Sequence, residues 1–416
     1  GEALTISVAR AHWQHEPKDM AHDLVALSSL GGRSAKRRGC RAIILALPLL
    51  LTCPILAVAL GIRLMYPQHP QPLAEYSLQG CLRVRLPPPP TGSVVAKGHR
   101  RFADRPGPMV QLIYPAVAAT EASADFEPQH YFRPPAADAL AEHLGFPRWF
   151  GRLTILRQAI DPPRMPAYPP DGGTEGWPVV VFSSGLSGCL EMYTQLGREI
   201  ASLGAIVVAV EHEDGSGAYA VDACTGEIVR PKRPPQGYKG SRQELIKWRR
   251  PFLKQRVREL QQVVDYIGRF GGRLAEKQMS ASAPEKDPRQ ALLSEVLARA
   301  DPSRLVLAGH SFGTAGIILA LRQGLGRSIR GALLYDPWLA PVPDSTIRSG
   351  VPVPYAVFMS GEWAGYKHEV DRILSLCQGS SGRELFAACV TGTRHQWISD
   401  AVFWLPQCVL RRWRTL

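Results

Sequence analysis

The stretch "LVLAGHSFGTAG", residues 305–316, sets an apolar run against a Gly-His-Ser-Phe-Gly pentapeptide and then small residues. The pentapeptide alone is weak evidence, because glycine is common here, 38 residues of 416. Its context decides. An apolar strand leads into a turn at Ser311, which is flanked by Gly309 and Gly313. The segment that follows, "TAGIILALRQG", has helical character. That is the setting of a nucleophile elbow, in which the serine backbone is strained and its neighbours must be small. The next helix then turns its N-terminus toward an oxyanion. An ordinary serine in a glycine-rich loop is the rival reading, and it requires neither the strand before nor the helix after.

Outward from the elbow the same grammar repeats. "MVQLIYPA" (109–116), "WPVVVFSSG" (177–185), "AIVVAVEHED" (205–214), "GALLYDPW" (331–338) and "VPYAVFMSGEW" (353–363) read as short apolar strands. "QLGREIASLG" (195–204) reads as a helix closed by glycine. The long segment 242–270 is helical, with a break at Pro251. Strands alternating with helices predict an α/β fold, a mostly parallel sheet covered on both faces. Residues 66–92 are proline-rich and read as linker and entry loop, and residues 271–301 read as an exposed insertion because they hold few aromatics.

A serine nucleophile needs a base, and the base needs an orienting acid. On this kind of scaffold they follow in the order Ser, Asp, His. Asp336 ends "GALLYD" at the carboxyl edge of the next strand, where open sheets place their sites. Asp344 and Asp371 are rivals that follow no apolar run so directly. Only His368 and His395 come later; His368 sits in the charged "YKHEVDR", whereas His395 follows the last apolar run in "FAACVTGTRHQW". The oxyanion needs two backbone N–H donors. Phe312, after the nucleophile, supplies one, and Leu186 in "FSSGLSG" (182–188) supplies the other. "EHED" (211–214) offers four groups to a metal, yet its spacing matches no standard site. No metal and no cofactor is expected, and His310 reads as structural.

Taken together these segments resemble the platelet-activating-factor acetylhydrolases, the group VII phospholipases A2 of plasma and cytosolic type. "PVVVFSSGLSG", "YTQLGREIASLGAIVVAVEHEDGSG", "LVLAGHSFGTA", "LLYDPWLAP" and "TGTRHQWISD" each look like a family block, in family order, and the resemblance covers roughly residues 75–405. It implies an α/β-hydrolase fold and calcium-independent hydrolysis of short or oxidised sn-2 acyl chains on phospholipids. Carried over, Ser311, Asp336 and His395 are the triad, and Leu186 and Phe312 form the oxyanion hole. Three positions depart from the pattern. Ser184 stands where the family usually has His, Thr314 where it has Gly, and Pro337 where the acid is usually followed by Ala. The alternatives are a general carboxylesterase or polyester hydrolase of the same fold, and an inactive hydrolase-fold binding protein.

The bulk numbers fit this reading. The formal charge of +13 falls in short clusters such as "KRR" (36–38), "RPKRPP" (230–235) and "RRWR" (411–414). No nucleic-acid module accompanies them, so a membrane surface is the expected partner beside the phospholipid substrate. "LGFPRWFGRL" (144–153) reads equally as a lipid-dipping stretch and as core cover. Residues 42–62, "AIILALPLLLTCPILAVALGI", are uncharged between Arg41 and Arg63 and long enough to span a bilayer as helix. The upstream charge places residues 1–41 in the cytoplasm and the catalytic domain on the lumenal or extracellular side. A cleaved signal and a secreted protein are the alternative. The expected domains are 1–41, the anchor 42–62, a linker 63–74, the catalytic domain 75–405 and a basic tail 406–416.

Overall fold

The computed structural model describes residues 76–88, 105–117, 126, 129–154, 159–160, 162–169, 176–272, 287–327 and 329–404. All of them belong to the unit Tyr66–Leu416. The expected anchor 42–62, the segment 1–41, the linker 63–74 and the tail 406–416 lie outside them. Among the described residues no helix is long and apolar enough to cross a membrane.

Eight strands make one sheet: β1 (Gln79–Arg85), β2 (Met109–Pro115), β3 (Trp177–Ser183), β4 (Ile206–Val210), β5 (Ala300–His310), β6 (Gly331–Tyr335), β7 (Tyr355–Ser360) and β8 (Glu384–Val390). Their order is β1-β2-β4-β3-β5-β6-β7-β8. β1 pairs antiparallel with β2 and β2 with β4, and every later pairing is parallel. The result is a mixed sheet, mostly parallel. Parallel register aligns the carboxyl ends: Ser183 lies opposite Gly309 and Val210, and Tyr335 lies opposite His310. The ends of β3, β4, β5 and β6 therefore form one ledge, which is where the site is built.

The helices are α1 (Pro134–His143), α2 (Arg148–Thr154), α3 (Thr194–Ser202), α4 (Arg242–Phe270), α5 (Pro288–Ala298), α6 (Phe312–Arg322), α7 (Asp344–Arg348), α8 (Lys367–Gly379) and α9 (Ala401–Trp404). They cover both faces. Along β3, Val179 and Val181 belong to the core cluster that also takes in side chains of α4, α5, α6 and α8, whereas Val180 and Phe182 belong to the one that takes in those of α1 and α3. This is why the strand is apolar throughout: in a sheet covered on both sides each residue is buried. A fully buried valine contributes about 1.5–3 kcal/mol.

Two expectations change. Helix α4 runs unbroken through Pro251. Proline removes one intrahelical hydrogen bond, but Pro251 and Lys247, whose carbonyl loses that partner, are both exposed, so water replaces it. The helix is also fixed at its start by a capping box, Ser241 Oγ accepting from the Glu244 N–H and Glu244 Oε2 from the Ser241 N–H. The exposed insertion expected at 271–301 is partly core. Residues 273–286 lie outside the description, but α5 buries Leu292, Leu293, Val296 and Leu297. Four apolar residues at helical spacing suffice for that without any aromatic. Cys81, Cys189, Cys224, Cys377 and Cys389 are free thiols.

Candidate active site

Ser311 occupies the sharp turn between β5 and α6 as the helix N-cap, with φ 53° and ψ −117°. A positive φ on a residue other than glycine is costly and needs surrounding structure to hold it. Here the Ser311 N–H donates to the Tyr335 carbonyl (2.9 Å) and its own carbonyl accepts from the Trp338 N–H (3.3 Å). The flanking glycines are required by space. A Cβ on Gly313 would lie 2.1 Å from the Ser183 carbonyl oxygen, and one on Gly309 would lie 2.6 Å from Ile317 Cδ1. The loop after β3 runs against the turn: a Cβ on Gly185 would sit 3.2 Å from Ser311 Cβ.

Asp336 follows β6 with φ 43°. Its carboxylate accepts from the Ser360 N–H (2.5 Å) on Oδ1 and from the Ser360 hydroxyl (2.7 Å) on Oδ2. The same Oδ2 lies 2.9 Å from His395 Nδ1. A carboxylate facing Nδ1 keeps the proton there and leaves Nε2 with a free lone pair. The imidazole is held on three sides. Its ring stacks on Trp363 (centroids 4.1 Å, 15°) and lies 4.4 Å from the His310 ring, and its backbone N–H donates to Glu362 Oε2 (2.9 Å). Trp363 is itself pinned, its indole N–H donating to the Pro337 carbonyl (3.2 Å) and its backbone N–H to Ser360 Oγ (3.1 Å). Among the described residues no hydrogen bond joins Ser311 Oγ to His395. Such contacts tighten in the Michaelis complex.

The rivals stand elsewhere. Asp344 is exposed and paired with Arg242 and Arg372; Asp371 and His368 are exposed on α8. Among the described residues neither the Leu186 nor the Phe312 backbone N–H has an acceptor in the fold. Leu186 sits on the loop beside Ser311, and Phe312 begins α6.

His310 is buried, and burial together with the neighbouring His395 holds its pKa well below the usual histidine range. Tyr193 OH accepts from the Gly185 N–H (3.1 Å) and lies 3.0 Å from His310 Nδ1. Its remaining proton serves that nitrogen. His310, Asp336 and His395 offer ligand atoms within 4.8 Å of one another. In this arrangement the Asp336 and His395 atoms bond each other and His310 Nδ1 faces Tyr193.

"EHED" is structural. Glu211 pairs with Arg133, Glu213 with Arg85 (2.6 Å) and Asp214 with Arg256 (2.9 Å), while His212 lies 2.8 Å from Ser183 Oγ and 2.6 Å from Glu259. Arg256 is fully buried. Besides Asp214 it holds the Ser184 carbonyl and Ser216 Oγ (2.6 Å), and its guanidinium lies 4.7 Å from the centre of the Phe312 ring. It thus fixes the loop that carries Leu186 and the residue that carries the second N–H. Sequence reasoning missed Trp363, Tyr193, Ser360 and Arg256. Ser360 alone left a trace, as a polar residue ending the strand beside the acid.

Residues 103–415 match the sequence model of the family described as platelet-activating factor acetylhydrolase, isoform II. The platelet-activating factor acetylhydrolase of Cavia porcellus is 29% identical over 274 residues, 64% of this chain and 58% of that protein. That of Canis lupus familiaris is 25% identical over 303 residues, 71% of this chain and 64% of that protein. The chain thus spans about three-fifths of the length of these curated relatives. A ferulic acid esterase from Streptomyces cinnamoneus superposes with a TM-score of 0.48 at 19% identity, covering 76% of this chain and 74% of its own. With a sequence model matched across most of its length, the chain belongs to the platelet-activating factor acetylhydrolase, isoform II, family.

Proposed function

We propose that this chain is a serine esterase of the α/β-hydrolase type. In this reading it cleaves, without calcium, the sn-2 ester of glycerophospholipids bearing short or oxidised acyl chains, platelet-activating factor among them. One observation carries it. Ser311 is held at positive φ at the start of α6, on the same sheet edge as a buried Asp336 bonded to His395 at 2.9 Å. Membership of the family and the names of the relatives support the substrate class.

In this mechanism Ser311 Oγ adds to the ester carbonyl carbon while His395 Nε2 takes its proton. The oxyanion that forms is met by the Leu186 and Phe312 N–H groups, each donor contributing about 3 kcal/mol. The carbonyl carbon–oxygen bond to glycerol then breaks as His395 returns the proton to the departing lysophospholipid hydroxyl. Water, deprotonated by the same imidazole, cleaves the acyl-serine and releases the carboxylic acid. Asp336 keeps the ring oriented throughout. The uncharged stretch 42–62 and its basic upstream flank support a catalytic unit anchored at the lumenal or extracellular face of a membrane, with secretion as the alternative.

The test is labelling with a fluorophosphonate, followed by assay on short- and long-chain sn-2 phospholipids with and without chelator. The wild type is expected to label, to prefer the short chain and to ignore chelator. Ser311→Ala is expected to lose labelling and to lose activity by more than about 10^4-fold. An unlabelled wild type would sink the esterase reading, chelator sensitivity would contradict the metal-free mechanism, and hydrolysis of simple esters without phospholipid would favour a general carboxylesterase.

A further inference from the structure

A cavity of about 680 Å³ opens beside the oxyanion loop, with Leu186 and Ser187 in its wall. Its lining carries five cationic side chains, Arg148, Arg230, Lys232, Arg233 and Arg249, against two carboxylates, Asp138 and Glu142. Both carboxylates are already engaged, Asp138 by Arg152 and Glu142 by Arg148 and Arg230.

Arg249 stands out among the cations. It is only 9% exposed, yet among the described residues it makes no hydrogen bond and no ion pair, and its Nε is buried without a partner. What surrounds the guanidinium is aromatic: the ring centres of Trp248, Phe252 and Phe312 lie 3.8, 5.0 and 5.6 Å away. Arg256, two turns further along α4 on the same face, also lies over Phe312, but it is neutralised by Asp214 at 2.9 Å. Arg249 has no ion pair of its own: the acid whose charge reaches it, Asp214, is already held by Arg256, and burial lowers the pKa of Arg249 to about 10, which leaves it charged at neutral pH. A second cation converges on the same ring. Lys232 Nζ lies 5.6 Å from the centre of Phe252, again without an acidic partner among the described residues. Burying an unpaired charge is expensive. One such charge at Arg249, with the exposed Lys232 beside the same Phe252 ring, in a cavity touching the oxyanion loop, fits an anion that arrives from outside.

We propose that Arg249, assisted by Lys232, binds the phosphodiester of the substrate while its sn-2 carbonyl reaches Ser311. This rests on the esterase reading above. The planar fork of arginine matches two phosphate oxygens at once. A phosphate ester is also the one anion that every glycerophospholipid carries, a few bonds from the ester to be cut. Specificity for phospholipid over neutral ester would then reside in α4 and the 215–234 loop, away from the triad.

The experiment compares the full chain with Arg249→Gln, Arg249→Lys and Lys232→Gln on three substrates: an sn-2 acetyl glycerophospholipid, the matching acetylated glycerol ether without phosphate, and a phosphate-free ester whose acyl chain ends in a carboxylate. The reading is the ratio of kcat/KM for phospholipid to that for the phosphate-free ether. Arg249→Gln is expected to lower this ratio by about 10- to 100-fold, as losing a charge-assisted hydrogen bond does, chiefly through KM. Arg249→Lys, which keeps the charge but loses the fork, should lower the ratio less than Arg249→Gln does, and Lys232→Gln, at an exposed position, should lower it by about threefold. Fluorophosphonate labelling and thermal melting show whether each variant is folded, and Lys232→Gln carries the test if Arg249→Gln is not. An unchanged ratio in folded variants overturns the proposal. A loss confined to the carboxylate-ended ester overturns it too, by assigning the cavity to the acyl end. Loss of all activity only in Ser311→Ala, with ratios unchanged elsewhere, would leave the esterase reading standing and this one fallen.

Discussion

At the scale of single residues, two Ser-His-acid chains lie within one molecule, and physics separates them. Ser183, His212 and Glu259 are linked at 2.8 and 2.6 Å, tighter than anything measured around His395. All three are buried. Burial, and the positive charge of Arg256, hold the His212 pKa well below its usual range. Burial, then the charge of Asp214, raises that of Glu259 to about 8. The pair is therefore neutral, with the proton of Glu259 toward His212 Nδ1 and the proton of His212 on Nε2, facing Ser183. An imidazole that presents N–H to a serine cannot act as its base. Ser183→Ala is accordingly expected to label with fluorophosphonate like the wild type, whereas Ser311→Ala does not; labelling lost in Ser183→Ala would reverse the assignment. At the other chain, Trp363 braces His395 as a flat wall. Trp363→Leu should lower kcat on a soluble acetyl ester by about tenfold with little change in KM, because a mispositioned base costs rate rather than binding. Trp363→Phe should recover most of it, and equal losses in both variants would argue against bracing.

At the scale of elements, α4 sets the shape of the site. Its Arg256 ties together the loops after β3 and β4, and Asp214 is left buried and uncompensated without it. Arg256→Leu should therefore cost about 3–5 kcal/mol, read as a lower urea midpoint. A loss below 1 kcal/mol would mean that the pair is not what holds those loops. Little of this was legible in advance. The strands were, because a doubly covered sheet writes itself as apolar runs such as "VVVF" and "IVVAV". The turn at Ser311 was, because its glycines are demanded by backbone contact with Ser183. Chain order and strand ends picked out Asp336 and His395, whose side chains meet at 2.9 Å. The partners that make "EHED" structural were hidden by distance along the chain: Glu259 and Arg256 lie 47 and 42 residues downstream of His212 and Asp214 on α4, where charges read as a solvated face, and Arg133 and Arg85 lie 78 and 128 residues upstream of Glu211 and Glu213. Helix α5 was hidden because low aromatic content looked like exposure, although Leu292 and Val296 lie one turn apart in the core.

At the scale of the whole molecule, stability should depend on pH through carboxyls that folding keeps protonated. Asp400 joins distant parts of the chain: its carboxylate side accepts from Tyr131 OH (2.6 Å) and from the Gln195 N–H, and its own N–H donates to the Met192 carbonyl (2.7 Å). Burial raises its pKa to about 7 from an ordinary 3.8. Below pH 4 the group is protonated folded or unfolded. Between pH 4 and 7 only the folded state keeps the proton, so each step up in pH favours unfolding. The contribution is fully present below the unfolded pKa and lost as pH rises through the folded one; it amounts to roughly 4 kcal/mol over that window. His212 and His310, buried and neutral, act in the opposite sense, since below pH 6.5 they take protons only when unfolded. The raw stability curve therefore mixes both signs, and the difference between wild type and Asp400→Asn isolates the carboxyl. Asparagine keeps an acceptor for Tyr131 but cannot titrate. The stability advantage of the wild type over Asp400→Asn, measured by urea unfolding, should shrink by a few kcal/mol from pH 4 to pH 7 and then level off. A difference that is flat across that range would mean that Asp400 is ionised in the fold, and that Tyr131 and the N-terminus of α3 hold a carboxylate there after all.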